Sequence, residues 1–92
     1  LARHQVEEGF LGARAQLESA KAAVEANTTA LTGVREEERV GQRTLIEVLN
    51  AQQELLNSQV NLVVTRRNVI VAGYGLQAAL GRLDALSLGV TG

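Results

Sequence analysis

The feature that most constrains this chain is the segment Val40-Gly41-Gln42-Arg43-Thr44, which sits between two long stretches of helical periodicity and carries the only glycine between Val34 and Ala72. Glycine takes the positive φ that ends a helix without a steric penalty. Three residues on, Thr44 reads as an N-cap, and Glu47 stands where a capping acid would reach back to it. One helix therefore stops near Arg39, another starts at Thr44, and the chain reverses between them. The expected fold is all-α, a long antiparallel helical hairpin divided into residues 1–39 (first helix), 40–43 (turn), 44–81 (second helix) and 82–92 (a terminal turn and tail). Proline is absent and no run alternates long enough for a strand.

In the first arm Val6, Phe10, Ala13, Leu17, Ala20, Val24, Leu31 and Val34 are spaced by fours and threes, a heptad seam that Asn27 interrupts. Small residues along it, with Gly9 and Gly12 near its start, favour close approach of a neighbouring helix. Thr28, Thr29 and Gly33 lower helix propensity toward the turn, where fraying is expected. The second arm carries two stripes, Leu45, Val48, Leu55, Leu62, Val69 and Leu76 on one and Leu49, Leu56, Val60, Val63 and Ile70 on the other. A free two-stranded coiled coil needs only one, so this arm is expected to be packed on both sides, as in a wall of helices. The hairpin should bring Leu31 near Leu55 or Leu56 and should self-associate through its remaining apolar face. Gly73 and Gly75 imply a backbone contact or a bend, and Leu80-Gly81 reads as the helix stop.

Composition removes most other functions. One Phe, one Tyr and no Trp or Met leave little bulk for a compact core in 92 residues, so partners are expected. The chain begins at Leu1 with no signal peptide, which reads as a piece of something longer. There is no Cys, and His4 beside Glu7 and Glu8 lacks the second His or Cys a metal centre would require, so neither metal nor cofactor is expected. No nucleophile and base pair exists, so this is not an enzyme. Gly9-Phe10-Leu11-Gly12 lies inside the seam and is not a phosphate loop. A net charge of −1 offers nucleic acid no attraction, and Arg66-Arg67 reads as a pair for salt bridges to the neighbouring helix. The apolar run from Val69 to Leu80 is too short to span a membrane.

From Thr44 to Thr65 the only charges are Glu47 and Glu54, among Asn50, Gln52, Gln53, Asn57, Ser58, Gln59 and Asn61. Such a face fits an aqueous duct, or an ordinary solvated helix surface. Glu47 itself has two readings, a carboxylate lining that duct or one spent on the cap of Thr44.

The run Val40-Gly41-Gln42-Arg43-Thr44-Leu45-Ile46-Glu47-Val48-Leu49-Asn50-Ala51, followed by Leu55-Leu56-Asn57-Ser58 and by Ala79-Leu80-Gly81-Arg82-Leu83, resembles the outer-membrane channel proteins of the TolC family. That resemblance implies a homotrimer with a β-barrel in the Gram-negative outer membrane and a periplasmic α-helical barrel, serving efflux or type I secretion. This chain would be the second helical hairpin of each protomer, in the periplasm, meeting the membrane only through strands it does not contain. By the same resemblance Arg43 and Glu38 occupy the entrance latch, Glu47 and Asn50 the lumen constriction, and Val40, Gly41 and Gln42 the tip that meets the hairpin of a periplasmic adaptor joined to an inner-membrane pump. Two positions depart from the pattern: Asn50 is neutral where the best-known members have a second acid, and Glu38 stands where some have an aromatic. The alternative is a coiled-coil hairpin module of a periplasmic adaptor or scaffold.

Overall fold

The computed structural model describes residues 2–91, with side chains described over 3–86. It consists of α1 (Ala2–Arg39) and α2 (Leu45–Thr91), joined by a five-residue turn, and contains no strand among the described residues. The 47 residues of α2 span about 70 Å at the helical rise, close to the full 76 × 14 × 14 Å extent of the molecule. The two helices lie antiparallel along their length.

A single layer of side chains joins them. From α1 the covered positions include Val6, Phe10, Ala13, Leu17, Ala20, Val24, Asn27, Leu31 and Val34, and from α2 Val48, Ala51, Leu55, Ser58, Leu62, Thr65, Val69 and Leu76. Both sets follow the three-four spacing of a coiled-coil seam. In α2 large and small residues alternate along it, and in α1 Phe10, Leu17, Val24 and Leu31 alternate with Ala13, Ala20 and Asn27, which lets two helices interdigitate closely. Burial peaks at Ala20 (3% exposed), Leu31 and Val48 (both 6%). Ser58 and Thr65 are buried without cost because their hydroxyls donate to the carbonyls of Leu55 and Leu62, at 2.8 and 3.0 Å.

Two contacts set the register. At the open end Phe10 lies against Gly73, its ring edge 3.4 Å from where a Cβ would stand, while the Arg14 guanidinium sits 5.9 Å over the same ring. Near the middle Asn27 Nδ2 donates to the carbonyl of Glu54 across the seam at 3.4 Å. The residue that interrupts the apolar series is thus the one polar cross-link of the seam, the role a lone seam Asn plays in fixing coiled-coil alignment. Carried along the hairpin, that register sets Leu31 at the level of Asn50 to Gln52, about one turn from the expected Leu55 or Leu56.

The structure corrects three sequence expectations. Gly81 does not end the second helix: α2 runs through it to Thr91, and Gly41 is the only glycine with positive φ among the described residues. Ala79, Arg82 and Leu83 share a crevice with Arg3 and Val6, so the first turn of α1 supports α2 beyond Gly81. The tail expected over 82–92 is helix as far as Thr91, and residue 92 lies outside the described residues. Second, α1 is continuous through Thr28 to Gly33. The hydroxyls of Thr28, Thr29 and Thr32 donate to carbonyls one turn back, at 2.7, 3.1 and 3.0 Å, and Leu31 anchors that turn in the seam. Third, Arg66 and Arg67 are exposed and pair with no carboxylate among the described residues; Glu18, at about that level of α1, is engaged by Lys21.

A second set of large apolar side chains remains uncovered. Leu45, Leu49, Leu56, Val60, Val63 and Ile70 are all more than half exposed, Val63 at 66%. The hairpin presents 6865 Å² to solvent, against about 5,200 Å² for a compact globular protein of 9.8 kDa. No helix among the described residues is long and apolar enough to cross a membrane.

Candidate functional site

The turn is built by two interlocking backbone motifs. The Gly41 N–H donates to the carbonyl of Glu38 at 2.9 Å and the Gln42 N–H reaches back to that of Glu37 at 2.7 Å, the paired bonds of a Schellman ending. This geometry requires the left-handed conformation that Gly41 adopts, at φ 81°. Two residues later the capping box closes: Thr44 N–H donates to Glu47 Oε2 at 3.0 Å, and Glu47 N–H to Thr44 Oγ1 at 3.3 Å. Of the two readings of Glu47, the cap is the one the side chain makes.

Arg43 ties the halves together. Its Nε donates to Glu37 Oε2 at 2.5 Å, and its Nη1 lies 3.9 Å from Glu47 Oε1. The hydrogen bond and charge of Glu37, and then the charge of Glu47, hold the guanidinium above its already high pKa, so it stays a cation throughout the working pH range. The resemblance places Arg43 and Glu38 at latch positions toward neighbouring helices, and Glu36 to Glu38 read as a solvated run; within the hairpin Arg43 pairs with Glu37. Only the Schellman geometry, which brings a residue six positions on back over the helix end, would have singled it out. Glu38 is half-buried and contributes its carbonyl to the turn, and Arg39 pairs with Glu36 at 2.7 Å. Val40 (64% exposed), Gly41 and Gln42 form the outermost surface of the tip.

Beyond the tip α2 has two exposed lines. One is the apolar stripe. The other is polar and continues from the turn through Glu47, Asn50, Glu54, Asn57 and Asn61, again at three-four spacing and exposed at every position. Across the seam at the same side, a shallow groove is lined by Gln16, Ser19, Ala23 and Asn61. At the far end His4 Nε2 pairs with Glu8 at 3.0 Å while Glu7 is taken by Arg3 at 3.1 Å, so the three do not converge, and no group of metal-ligating side chains forms among the described residues.

The site is thus the doubly capped tip of a slender two-helix hairpin whose second apolar stripe is left uncovered. The chain is 44% identical over 93 residues to the outer membrane efflux protein BepC of Brucella suis biovar 1 (strain 1330), a match that takes in 94% of this chain and 20% of that protein. Through that relative, the resemblance to the TolC family of outer-membrane channel proteins extends over nearly the whole of this chain. The chain spans about a fifth of the length of that relative. No protein-family model matches the chain, and no solved structure matches it significantly.

Proposed function

We propose that this hairpin is a segment of the periplasmic tunnel wall of a trimeric outer-membrane efflux channel, with the Gly41 turn at the periplasmic entrance. The observation that carries the reading is the second heptad-spaced stripe of α2, large and apolar yet untouched by α1. On α1 the residues Gly9, Gly12, Ser19, Ala26, Ala30 and Gly33 make a matching exposed line of small side chains, and a Cβ at Gly9, Gly12 or Gly33 would meet nothing within 4 Å. The large stripe is what packing against a neighbouring helix in a wall requires, and the small residues, on the side where Ser19 and Asn61 share a groove, let chains approach closely. A free adaptor or scaffold hairpin, the alternative reading, has no use for either.

In that wall the polar line of α2 faces the duct, with Glu47 and Asn50 at the constriction. Val40, Gly41 and Gln42 meet the hairpin of a periplasmic adaptor, which couples the channel to an inner-membrane pump. Arg43 and Glu38 supply the latch, Arg43 exchanging its Glu37 partner for groups on a neighbouring helix when the entrance closes. Efflux is favoured as the transported function because the relative carries that name; type I secretion would use the same conduit.

The test places the tip. A Gln42→Cys variant of the complete protein should resist a bulky polyethylene-glycol maleimide in intact cells and react once the outer membrane is permeabilised. Reaction in intact cells, or only after the inner membrane is breached, contradicts the reading.

A further inference from the structure

We infer that the helix covering the outer stripe of α2 carries a carboxylate opposite Arg67, and that this helix belongs to the part of the complete protein outside the present chain; the inference rests on the wall reading above. Arg66 and Arg67 are adjacent but stand in different surroundings. Arg66 lies at the edge of the seam, four residues from Leu62 and three from Val69. Arg67 stands in the middle of the uncovered apolar surface. The residues three, four and seven positions to either side share its face; they are Val60, Val63, Val64, Ile70, Val71 and Tyr74, exposed by between 45% (Val64) and 68% (Tyr74). With Val63 and Ile70 on one flank and Val64 and Val71 on the other, the side chain has no polar edge beside it.

A helix laid over those side chains encloses the guanidinium as well. The cation then loses its hydration, and arginine cannot give up its proton to escape the cost. A carboxylate on the covering helix meets it, held by two parallel N–H bonds of the planar fork. The hairpin does not provide that group. On α1 the acid nearest the level of Arg67 is Glu18, which Lys21 engages at 3.4 Å. Every other acid of α1 lies a heptad or more away, roughly 10 Å along the axis, and on α2 the nearest is Glu54, about 20 Å away. Rotation about a ring axis keeps each residue at its own height, so a second copy of the hairpin offers the same levels and the same lack. The match to the relative takes in 20% of that protein, and the remainder has room for the covering helix. One ion pair inside an apolar contact fixes the depth at which that helix docks, because sliding it by a turn leaves two buried charges unpaired.

The experiment treats the assembled complete protein, wild type and Arg67→Lys, with a water-soluble carbodiimide, which joins a lysine amine to a carboxylate at ion-pair distance and leaves arginine untouched. Peptide mass spectrometry should find position 67 of the Arg67→Lys protein linked to an Asp or Glu outside residues 1–92. In native electrophoresis Arg67→Lys should assemble as wild type does, while Arg67→Glu, which sets two carboxylates against each other, should lower the assembled fraction several-fold. The inference is overturned, with the wall left standing, if position 67 stays unlinked in assembled Arg67→Lys protein in which Lys21 is linked to Glu18, if it links to an acid within residues 1–92, or if Arg67→Glu assembles as wild type does. Complete wild-type protein that folds but stays monomeric overturns the wall reading itself.

Discussion

The Phe10 ring packs over Gly73, its edge 3.4 Å from where a Cβ at that position would stand. This contact closes the open end of the hairpin as the Gly41 turn closes the other, and between them one seam holds two helices side by side. Gly73→Ala places a methyl at ordinary contact distance and should be neutral or stabilising by up to about 1 kcal/mol through helix propensity. Gly73→Leu forces the ring out and should cost about 1–3 kcal/mol. Chemical denaturation of the two variants, followed by circular dichroism, distinguishes these outcomes.

At the tip the caps act locally and should be separable from the seam. Gly41→Ala puts a β-carbon at φ 81° and is expected to destabilise the hairpin by about 1–2 kcal/mol. Thr44→Ala removes the capping hydroxyl at a cost of about 1 kcal/mol. Equal stability of either variant with wild type in the same denaturation experiment would show that the turn is held by the helices rather than by its own bonds.

The seam and the outer stripe should respond oppositely to truncation. Leu31→Ala opens space at a position only 6% exposed and should cost about 2 kcal/mol or more. Val63→Ala alters an exposed side chain and should change the stability of the separate hairpin by less than about 0.5 kcal/mol. In light scattering the wild-type chain should self-associate through that stripe, and Val63→Lys should weaken the association.

Arg43 has a partner within its own chain, so its proposed tether to a neighbouring helix competes with Glu37. Arg43→Ser in the complete channel should raise single-channel conductance. Unchanged conductance would leave Arg43 with the single task of bracing its own turn.

The parts of this architecture legible in the sequence were those set by local chemistry. Gly41, Thr44 and Glu47 define the reversal within seven residues, and heptad spacing separated the two stripes except at Leu45, grouped with the covered one but exposed with the outer one. Gly81 carried the same local stop signal as Gly41, but the crevice shared by Leu83 with Arg3 and Val6 lies almost the whole chain away in sequence, and it accompanies a helix that continues. The Arg43 to Glu37 pair was hidden for a related reason, because it exists only after the Schellman turn has formed. Asn27 looked like a flaw in the seam until its acceptor, the Glu54 carbonyl, was in place. The outer stripe was legible as a pattern, and nothing within the hairpin covers it.

The placement of α2 in a tunnel wall is tested most directly by the reactivity of single cysteines in the assembled complete protein. Val63→Cys on the apolar stripe is compared with Asn61→Cys and Asn57→Cys on the polar line, all three at positions exposed in the separate hairpin. Covered by a neighbouring helix, Val63→Cys should react with a small maleimide only after denaturation, while Asn61→Cys and Asn57→Cys react in the native state. Native reactivity of Val63→Cys as fast as that of the other two would contradict the wall and leave a hairpin with an open flank.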